Sequence, residues 1–227
     1  MAVFFLGSER SFPPVEWADQ DGLLAIGGDL SPSRLLLAYG SGIFPWYNEE
    51  SPILWWAPFP RPLIFPSQIH ISRSLRRILK QNKFKVTFDQ DFKQVILSCA
   101  QVHKEKDGGT WLLPEMIEAY YKLHLLGFAH SVEVWLKGKL VGGLYGVSLG
   151  RAFFGESMFY LEPNASKVGM VHLARFLAKN KFYFIDCQQK TTHVVRFGAV
   201  EVERKEYFVW LKKALAHPTL KSWVSPS

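Results

Sequence analysis

Three consecutive apolar runs decide the fold of this chain: His130-Ser-Val-Glu-Val-Trp-Leu136, Leu140-Val-Gly-Gly-Leu-Tyr-Gly-Val-Ser-Leu149 and Arg151-Ala-Phe-Phe-Gly-Glu-Ser-Met-Phe159. Short connections, Lys137-Gly-Lys139 and Gly150, separate them. Runs of this length joined by glycine-containing turns are typical of antiparallel strands in hairpins. We therefore predict a three-stranded β-meander over residues 130–159.

Helices and further strands are predicted on both sides of this meander. Apolar residues at helical spacing, together with proline or polar residues at the first positions and glycine at the last, mark the helices. The predicted helices are Ser72–Lys80, Asp91–His103, Pro114–Leu126, Asn164–Lys179 with Asn164 as cap, and Glu203–Leu215, and the further strands are Phe84–Phe88, Phe182–Cys187 and Ala199–Val202. This order indicates an α+β fold whose mixed, largely antiparallel sheet is flanked by helices.

The first sixty residues have a different composition. Nine of the thirteen prolines lie between Pro13 and Pro66, together with four of the eight tryptophans. We predict a small N-terminal domain of short elements and ordered turns over residues 1–62, with one helix at Ser31–Tyr39, and a larger domain over residues 63–227. A disordered segment would carry fewer aromatic residues.

Composition and motifs exclude several classes of protein. The chain has 227 residues, of which 48% are hydrophobic and 21% charged, as in soluble globular proteins. No run approaches the roughly 18 apolar residues of a membrane span, and the N-terminus lacks the leader of a secreted protein. The two cysteines form no disulfide framework, and GxxxxGK[ST], HExxH, zinc CxxC and GxSxG motifs are missing. We expect a cytoplasmic protein that uses no cofactor and no metal.

Positive charge is concentrated in one window. The net charge is +7, and residues 51–88 contain seven Lys or Arg and no Asp or Glu. On the predicted helix of this window we call Arg73, Arg76, Arg77 and Lys80 the basic face, and Lys83 and Lys85 follow it. Such a cluster favours a polyanionic partner such as a nucleic acid. The alternative is a solvated helix face.

Three polar side chains interrupt apolar strands near the C-terminal half. They are Glu156, Asp186 and Gln188. A buried carboxylate costs several kcal/mol unless it is partnered or functional. Because Asp186 and Gln188 are two positions apart, a strand would direct both to one face. We predict a site at this position. The alternative is a structural ion pair with a buried Arg or Lys.

Apolar and aromatic residues are expected around this site. Leu144, Met158, Met170 and Ile185 would form an adaptable apolar pocket, unless they are ordinary core. Trp111 follows two glycines in a loop, and Tyr120 on the next helix could face the same space. These two aromatic rings would stack on a planar ligand. Cys187 has no evident His partner in the sequence, which argues against a thiol nucleophile.

A series of motifs along the chain matches the sequence pattern of one known family. The matching stretches are Phe12-Pro-Pro14, Asp21-Gly-Leu-Leu-Ala-Ile-Gly-Gly-Asp-Leu30, Tyr39-Gly-Ser-Gly-Ile-Phe-Pro-Trp46, Leu54-Trp-Trp56, Pro60-Arg61, Gly109-Thr-Trp111, Met116, Ala119-Tyr120, Leu123-His124, Gly127, Ala129-His-Ser131, Glu133, Phe154-Gly-Glu-Ser-Met-Phe159, Asn164-Ala-Ser-Lys167, Ile185-Asp-Cys-Gln188, His193 and Phe197-Gly-Ala199. In these stretches the chain closely resembles bacterial leucyl/phenylalanyl-tRNA–protein transferases. The resemblance spans nearly the whole chain in order and leaves out only the tail after about Leu215.

The resemblance implies a C-terminal domain related to GCN5-type N-acyltransferases. It implies transfer of Leu or Phe, and less readily Met, from aminoacyl-tRNA to proteins that begin with Arg or Lys, which marks them for N-end-rule degradation. We expect a monomer that contacts no membrane.

Roles for the site residues follow as hypotheses. Asp186 and Gln188 would be catalytic, with Asp186 orienting Gln188, and Glu156 would hold a substrate amine or cation. The four apolar residues would form the Leu/Phe pocket, Trp111 and Tyr120 would stack on the terminal adenosine, and the basic face with Lys83 and Lys85 would hold tRNA.

Two alternative functions remain at this point. An acyl-CoA-dependent N-acetyltransferase would need a [QR]-x-x-G-x-[GA] pyrophosphate loop, which residues 164–170 do not supply. A non-catalytic RNA-binding module would need the basic face but not the acid–amide strand.

Overall fold

The computed structural model describes residues 4–107 and 112–223. Its N-terminal part forms a four-stranded sheet in the order β1-β2-β4-β3. The strands are β1 (Phe4–Leu6), β2 (Leu23–Gly27), β3 (Phe44–Pro45) and β4 (Leu54–Trp56), and helix α1 (Pro32–Gly40) lies between β2 and β3 in the chain. The sequence predicted α1, whose N-cap Ser31 accepts from Arg34 N. It did not predict the sheet, because strands this short show no alternation.

The remaining strands form a seven-stranded sheet in the order β11-β5-β10-β9-β8-β7-β6. They are β5 (Arg61–Ile64), β6 (Lys85–Phe88), β7 (Ala129–Leu136), β8 (Lys139–Leu149), β9 (Ala152–Tyr160), β10 (Phe184–Asp186) and β11 (Val200–Val202). The predicted meander is β7-β8-β9. In this sheet β9 and β10 are parallel and the other pairs are antiparallel. The predicted α+β fold with a mixed, largely antiparallel sheet is confirmed.

Helices cover both faces of the seven-stranded sheet. Helix α5 packs on β7, β8 and β9, and α3 packs on the same three strands from the other side, next to α4. The helices after α1 are α2 (Arg73–Lys80), α3 (Phe92–Asp107), α4 (Pro114–Leu125), α5 (Ala165–Lys179), α6 (Thr192–Arg196) and α7 (Arg204–Leu215). All but α6 were predicted to within a few residues. Within the described ranges, no helix is long and apolar enough to cross a membrane.

The division into two domains remains our proposal. It places the boundary after residue 62, and the four-stranded sheet ends at Trp56. Strand β5 begins at Arg61 and pairs with β10 and β11 of the larger sheet. This pairing ties the boundary segment to the C-terminal part.

Two local predictions were correct in position but wrong in detail. The strand expected over Phe182–Cys187 is limited to Phe184–Asp186, because the chain turns at Gln188, whose φ is 59°. Asn164 precedes α5, but it lies in the left-handed region and its side chain makes no cap hydrogen bond. Its Oδ1 accepts from Lys167 Nζ at 3.3 Å instead.

The C-terminal tail, which the family resemblance leaves out, packs back on the sheet. Trp223 is only 4% exposed and stacks on His130 with ring centroids 4.2 Å apart and planes 3° apart. It also contacts Phe153 and Phe176. Upstream of it, Thr219 Oγ1 accepts from Gly150 N at 2.8 Å. The tail therefore covers the hydrophobic cluster that includes Val132, Phe153 and Leu177.

We predict that Trp223→Ala lowers the free energy of unfolding by about 3–5 kcal/mol, because it removes a large buried aromatic side chain. Urea denaturation followed by circular dichroism measures the change. Trp17→Ala is the matched control, since Trp17 is 55% exposed, and it should cost less than about 1 kcal/mol. Equal effects of the two substitutions would contradict a structural role for the tail.

Candidate active site

The candidate site lies where the parallel strands β9 and β10 separate. Their pairing ends at Phe154 and Asp186, while β9 continues to Tyr160, paired only with β8. A cavity of about 470 Å³ opens between them. We call it the main cavity. Residues of β9, β8, α5 and the segment after β10 line it.

Glu156 occupies a β-bulge in β9. Tyr145 of β8 pairs with Ser157, and the next residue, Gly146, pairs with Gly155, so Glu156 is the extra residue. A bulge re-aims the side chain it carries. It also explains why Phe154 and Phe159, five positions apart, belong to the same hydrophobic cluster.

The Glu156 carboxylate accepts three hydrogen bonds from neutral donors. Tyr39 OH and Gln188 Nε2 donate to Oε1 at 2.7 and 2.8 Å, and Tyr120 OH donates to Oε2 at 2.8 Å. Burial raises the pKa of Glu156 to about 7, although the three hydrogen bonds lower it, and the Asp186 charge raises it further. Burial also raises the pKa of Tyr39 and of Tyr120 well above the ordinary value. Both tyrosines therefore remain donors.

Asp186 is fully buried in a separate network. Its Oδ2 accepts from Arg61 Nη1 at 2.9 Å and from Tyr207 OH at 2.8 Å. Its Oδ1 accepts from the backbone N of Gln188 at 2.8 Å. The last bond stabilises the turn that carries the Gln188 side chain into the main cavity.

Arg61 completes this network from strand β5. Its Nη2 donates to Gly42 O at 2.7 Å and its Nε to Pro58 O at 3.1 Å. The guanidinium also lies over the rings of Phe44, Phe59 and Tyr207 at 5.0–5.2 Å. Arg61 is 1% exposed. It therefore belongs to the interior, although it is one of the seven positive residues of the basic window 51–88.

The expected geometry of Asp186 and Gln188 was wrong. The two side chains do not share a strand face, because β10 ends at Asp186 and Gln188 has a positive φ. Gln188 lines the main cavity, whereas Asp186 is not part of its wall. The structural ion pair weighed as an alternative is present at Asp186, whereas Glu156 forms none with the residues that the structure describes. The Asp186 carboxylate therefore contacts the backbone that carries Gln188 rather than the cavity itself.

The structure brings the four predicted apolar residues together. Leu144, Met158, Met170 and Ile185 all line the main cavity beside Glu156 and Gln188. Two buried polar atoms of cavity-lining residues, Tyr145 OH and His193 Nε2, have no hydrogen-bond partner among the described residues. Buried polar groups are rarely left unpaired, so these atoms are available to a ligand.

Trp111 and Tyr120 were predicted to stack on a ligand, and the structure describes only Tyr120. Trp111 lies outside the described residues. Tyr120 is fully buried, and its hydroxyl donates to Glu156 Oε2 and lies 2.6 Å from the hydroxyl of Tyr39. No face of its ring is open to an adenine, so the expectation that it stacks on a ligand was wrong. Tyr120 holds Glu156 in place instead.

The basic face is exposed as predicted. Arg73, Arg76, Arg77 and Lys80 project from α2, whose apolar Leu75 is buried. Arg76 Nε donates to Ile71 O at 3.0 Å. Lys83 pairs with Glu162 at 3.4 Å, and Lys85 is exposed.

Cys187 lines the main cavity but is not placed as a nucleophile. Burial raises the pKa of its thiol, and the Asp186 charge raises it further. The thiol donates to Ile185 O at 3.8 Å. A buried, protonated thiol is a poor nucleophile.

Sequence reasoning missed three residues that hold the site: Tyr39, Arg61 and Tyr207. Arg61 stands in the apolar run Pro58-Phe-Pro-Arg-Pro-Leu-Ile64. A single charge in such a run indicates a buried partner, and this signal could have identified it. Tyr39 and Tyr207 lie in helices with ordinary amphipathic patterns, and nothing in those patterns marks their hydroxyls.

Comparison with known proteins identifies the family. The sequence model of the leucyl/phenylalanyl-tRNA protein transferase matches residues 63–212, and the model of the N-terminal domain of that transferase matches residues 28–58. The chain belongs to the leucyl/phenylalanyl-tRNA–protein transferase family. It is therefore an aminoacyltransferase, and this membership excludes the acetyltransferase and the non-catalytic RNA-binding alternatives.

Individual relatives agree with the family model. The chain is 57% identical to the leucyl/phenylalanyl-tRNA–protein transferase of Thermodesulfovibrio yellowstonii over 97% of this chain and 90% of the relative. It is 53% identical to that of Solidesulfovibrio magneticus over 100% and 92%. Among solved structures, an aminoglycoside acetyltransferase from an uncultured soil metagenomic sample aligns with a TM-score of 0.38, 14% identity and coverage of 64% and 95%. At that score the likeness supports no conclusion, and the fold class follows from the strand order.

The raised pKa of Glu156 predicts a pH-dependent stability. Between its ordinary value of 4.5 and about 7, the folded protein holds a proton on Glu156 that the unfolded chain has lost. The contribution of Glu156 to the free energy of unfolding is therefore greatest below pH 4.5 and declines as the pH rises towards 7. Relative to Glu156→Gln, the wild type should lose about 2–3 kcal/mol between pH 5 and pH 8.

Urea denaturation at several pH values measures this difference. The amide in Glu156→Gln does not titrate, so this variant lacks the part of the pH dependence of the free energy of unfolding that comes from Glu156. Any loss of stability that is the same at every pH does not affect this comparison. Parallel stability profiles for the two proteins would show that Glu156 is ionised throughout and would contradict the raised pKa.

Proposed function

We propose that this protein transfers leucine or phenylalanine, and less readily methionine, from aminoacyl-tRNA to the N-terminal α-amine of proteins that begin with Arg or Lys. The new peptide bond marks the acceptor for N-end-rule degradation. We further propose that it acts as a monomer in the cytoplasm. Family membership supports the aminoacyl-tRNA donor and the protein acceptor.

The observation that carries this proposal is the composition of the main cavity. Its volume of about 470 Å³ is mostly bounded by apolar side chains, including Leu144, Met158 and Met170. Unbranched methionines adapt to branched and to aromatic side chains, which suits both leucine and phenylalanine. The polar side chains of Glu156 and Gln188 line the same cavity. The apolar side chain of the acyl group can thus lie against the apolar residues, with its reacting carbonyl next to Glu156 and Gln188.

The reaction needs alignment more than acid–base power. The acceptor α-amine nitrogen attacks the ester carbonyl carbon, the C–N bond forms, and the bond from that carbon to the ribose oxygen breaks. The amine loses a proton and the ribose hydroxyl gains one. The ester has a higher free energy than the amide that replaces it, so the transfer is downhill and consumes no ATP. Fixing the two substrates side by side supplies much of the rate.

Gln188 is the residue that we propose aligns them. Its Nε2 donates to Glu156 Oε1 at 2.8 Å, so its Oε1 faces away from Glu156 and can accept from the attacking amine. The hydrogen bond from Gln188 N to Asp186 Oδ1 fixes the turn beneath it. Glu156, whose pKa is about 7, anchors the amide in this orientation.

A direct assay tests the proposal. The protein is incubated with Leu-tRNA and a peptide that begins with Arg, and mass spectrometry follows the peptide. We expect a mass gain of one leucine residue, and a similar gain of phenylalanine from Phe-tRNA. A parallel reaction with acetyl-CoA as donor should give no product. Absence of leucine transfer under conditions where the protein is folded would overturn the proposal.

The basic face predicts salt-dependent binding of tRNA. We expect the double substitution Arg77→Ala/Lys80→Ala to weaken binding and to reduce the slope of log K against log salt by roughly 1.5, since each phosphate contact contributes about 0.7–0.9. Arg76 is left in place because it donates to Ile71 O. Filter binding at several salt concentrations measures the slope.

Two exposed lysines of α7, Lys205 and Lys212, provide a control with the same change in net charge. The double variant Lys205→Ala/Lys212→Ala should retain the wild-type slope. If both double variants change the slope of log K against log salt equally, the effect comes from net charge, and α2 is not a specific binding surface for tRNA.

A further inference from the structure

A second cavity adjoins the candidate site on the other side of Gln188. It has a volume of about 490 Å³, and we call it the side cavity. Gln188 and Gln189 line both the main cavity and the side cavity, as do Phe44 and Trp46. A group held at Gln188 therefore has access to both spaces. The proposed donor occupies the main cavity, which leaves the side cavity for another part of the reacting pair.

The chemistry of the side cavity suits a cationic side chain. Asp21 is its carboxylate, and Trp46 and Trp56 form an aromatic wall in which the two rings meet edge to face, 5.8 Å apart. Aromatic faces attract guanidinium and ammonium groups. Among the hydrogen bonds and ion pairs of the described residues, none engages the Asp21 carboxylate, whose residue is exposed in the turn before β2.

The other charged side chains near the two cavities already have partners within the protein. Glu156 accepts from Tyr39, Tyr120 and Gln188, so little of its acceptor capacity remains for a substrate cation. Asp186 is fully buried against Arg61. Lys190, which also lines the side cavity, pairs with Glu201. Asp21 is thus the carboxylate left free among the described residues of both cavity walls.

We propose that the side cavity is the subsite for the basic first side chain of the acceptor, with Asp21 as its counter-ion. The acceptor α-amine lies at Gln188, its side chain enters the side cavity, and the acyl group lies in the main cavity. This inference rests on the proposed function, and it replaces the expectation that Glu156 contacts the acceptor cation. Selection of acceptors that begin with Arg or Lys follows from the charge of Asp21.

The test crosses two acceptors with the enzyme variants. The acceptors are identical peptides that begin with Arg or with citrulline, which has nearly the same shape without the charge. The wild type should prefer Arg by roughly tenfold in kcat/KM, the magnitude of one hydrogen-bonded ion pair in a partly exposed site. In Asp21→Asn this preference should disappear, mainly through a higher KM for the Arg peptide. Transfer to the citrulline peptide should fall by much less, because citrulline carries no charge that pairs with Asp21.

Two further variants separate the charge from other effects. Asp21→Glu keeps the carboxylate and should retain most of the preference. Glu49→Gln removes an exposed charge from the connection between β3 and β4 that lines neither cavity, and it should retain the whole preference.

Three outcomes contradict the inference. If Asp21→Asn still prefers the Arg peptide, another group reads the charge and the inference alone is overturned. If Asp21→Asn loses both acceptors equally, Asp21 has a general role and the subsite assignment is equally wrong. If the wild type transfers leucine to neither peptide, the proposed function fails together with the inference.

Discussion

The buried ion pair between Arg61 and Asp186 is the contact on which the site depends. Both side chains are almost completely inaccessible to solvent, and Tyr207, Gly42 and Pro58 satisfy their remaining hydrogen-bonding capacity. Removing one partner of such a pair costs roughly 3–5 kcal/mol, because the other charge is left buried. The pair joins β5, β10, α7 and the N-terminal segment at one point. Through the backbone N of Gln188, it also fixes an amide that lines both cavities.

A second network, in which neutral donors surround one acid, holds the opposite side of the amide. Glu156 reaches it from a bulge in β9, and Tyr39 and Tyr120 support the carboxylate from α1 and α4. Gln188 is therefore held at its backbone by Asp186 and at its side chain by Glu156. This double attachment is a feature of preorganised sites, in which the reacting groups are aligned before substrate arrives. It suits a reaction between an activated ester and an amine, where alignment is the main requirement.

Much of this arrangement could be predicted from the sequence, and the reasons for the failures are physical. The meander and the long helices follow from periodic apolar residues, and the four pocket residues follow from their place beside unexplained polar groups. The Asp186–Arg61 contact joins positions 125 apart, which no local pattern encodes. The bulge at Glu156 depends on how two strands pair. The turn at Gln188 depends on a hydrogen bond to Asp186, and strand alternation therefore gave the wrong geometry for these two residues.

The central claim is that Asp186 acts on the reaction through Gln188, and a double-mutant cycle tests it most directly. Single-turnover transfer of leucine from a preformed complex with Leu-tRNA is measured for Asp186→Asn, Gln188→Gly and the double variant. Glycine suits the positive φ of position 188 and removes the amide without backbone strain. Our account predicts strong non-additivity, with the double variant no slower than Gln188→Gly. Additive losses would show that Asp186 and Gln188 act independently and would contradict it.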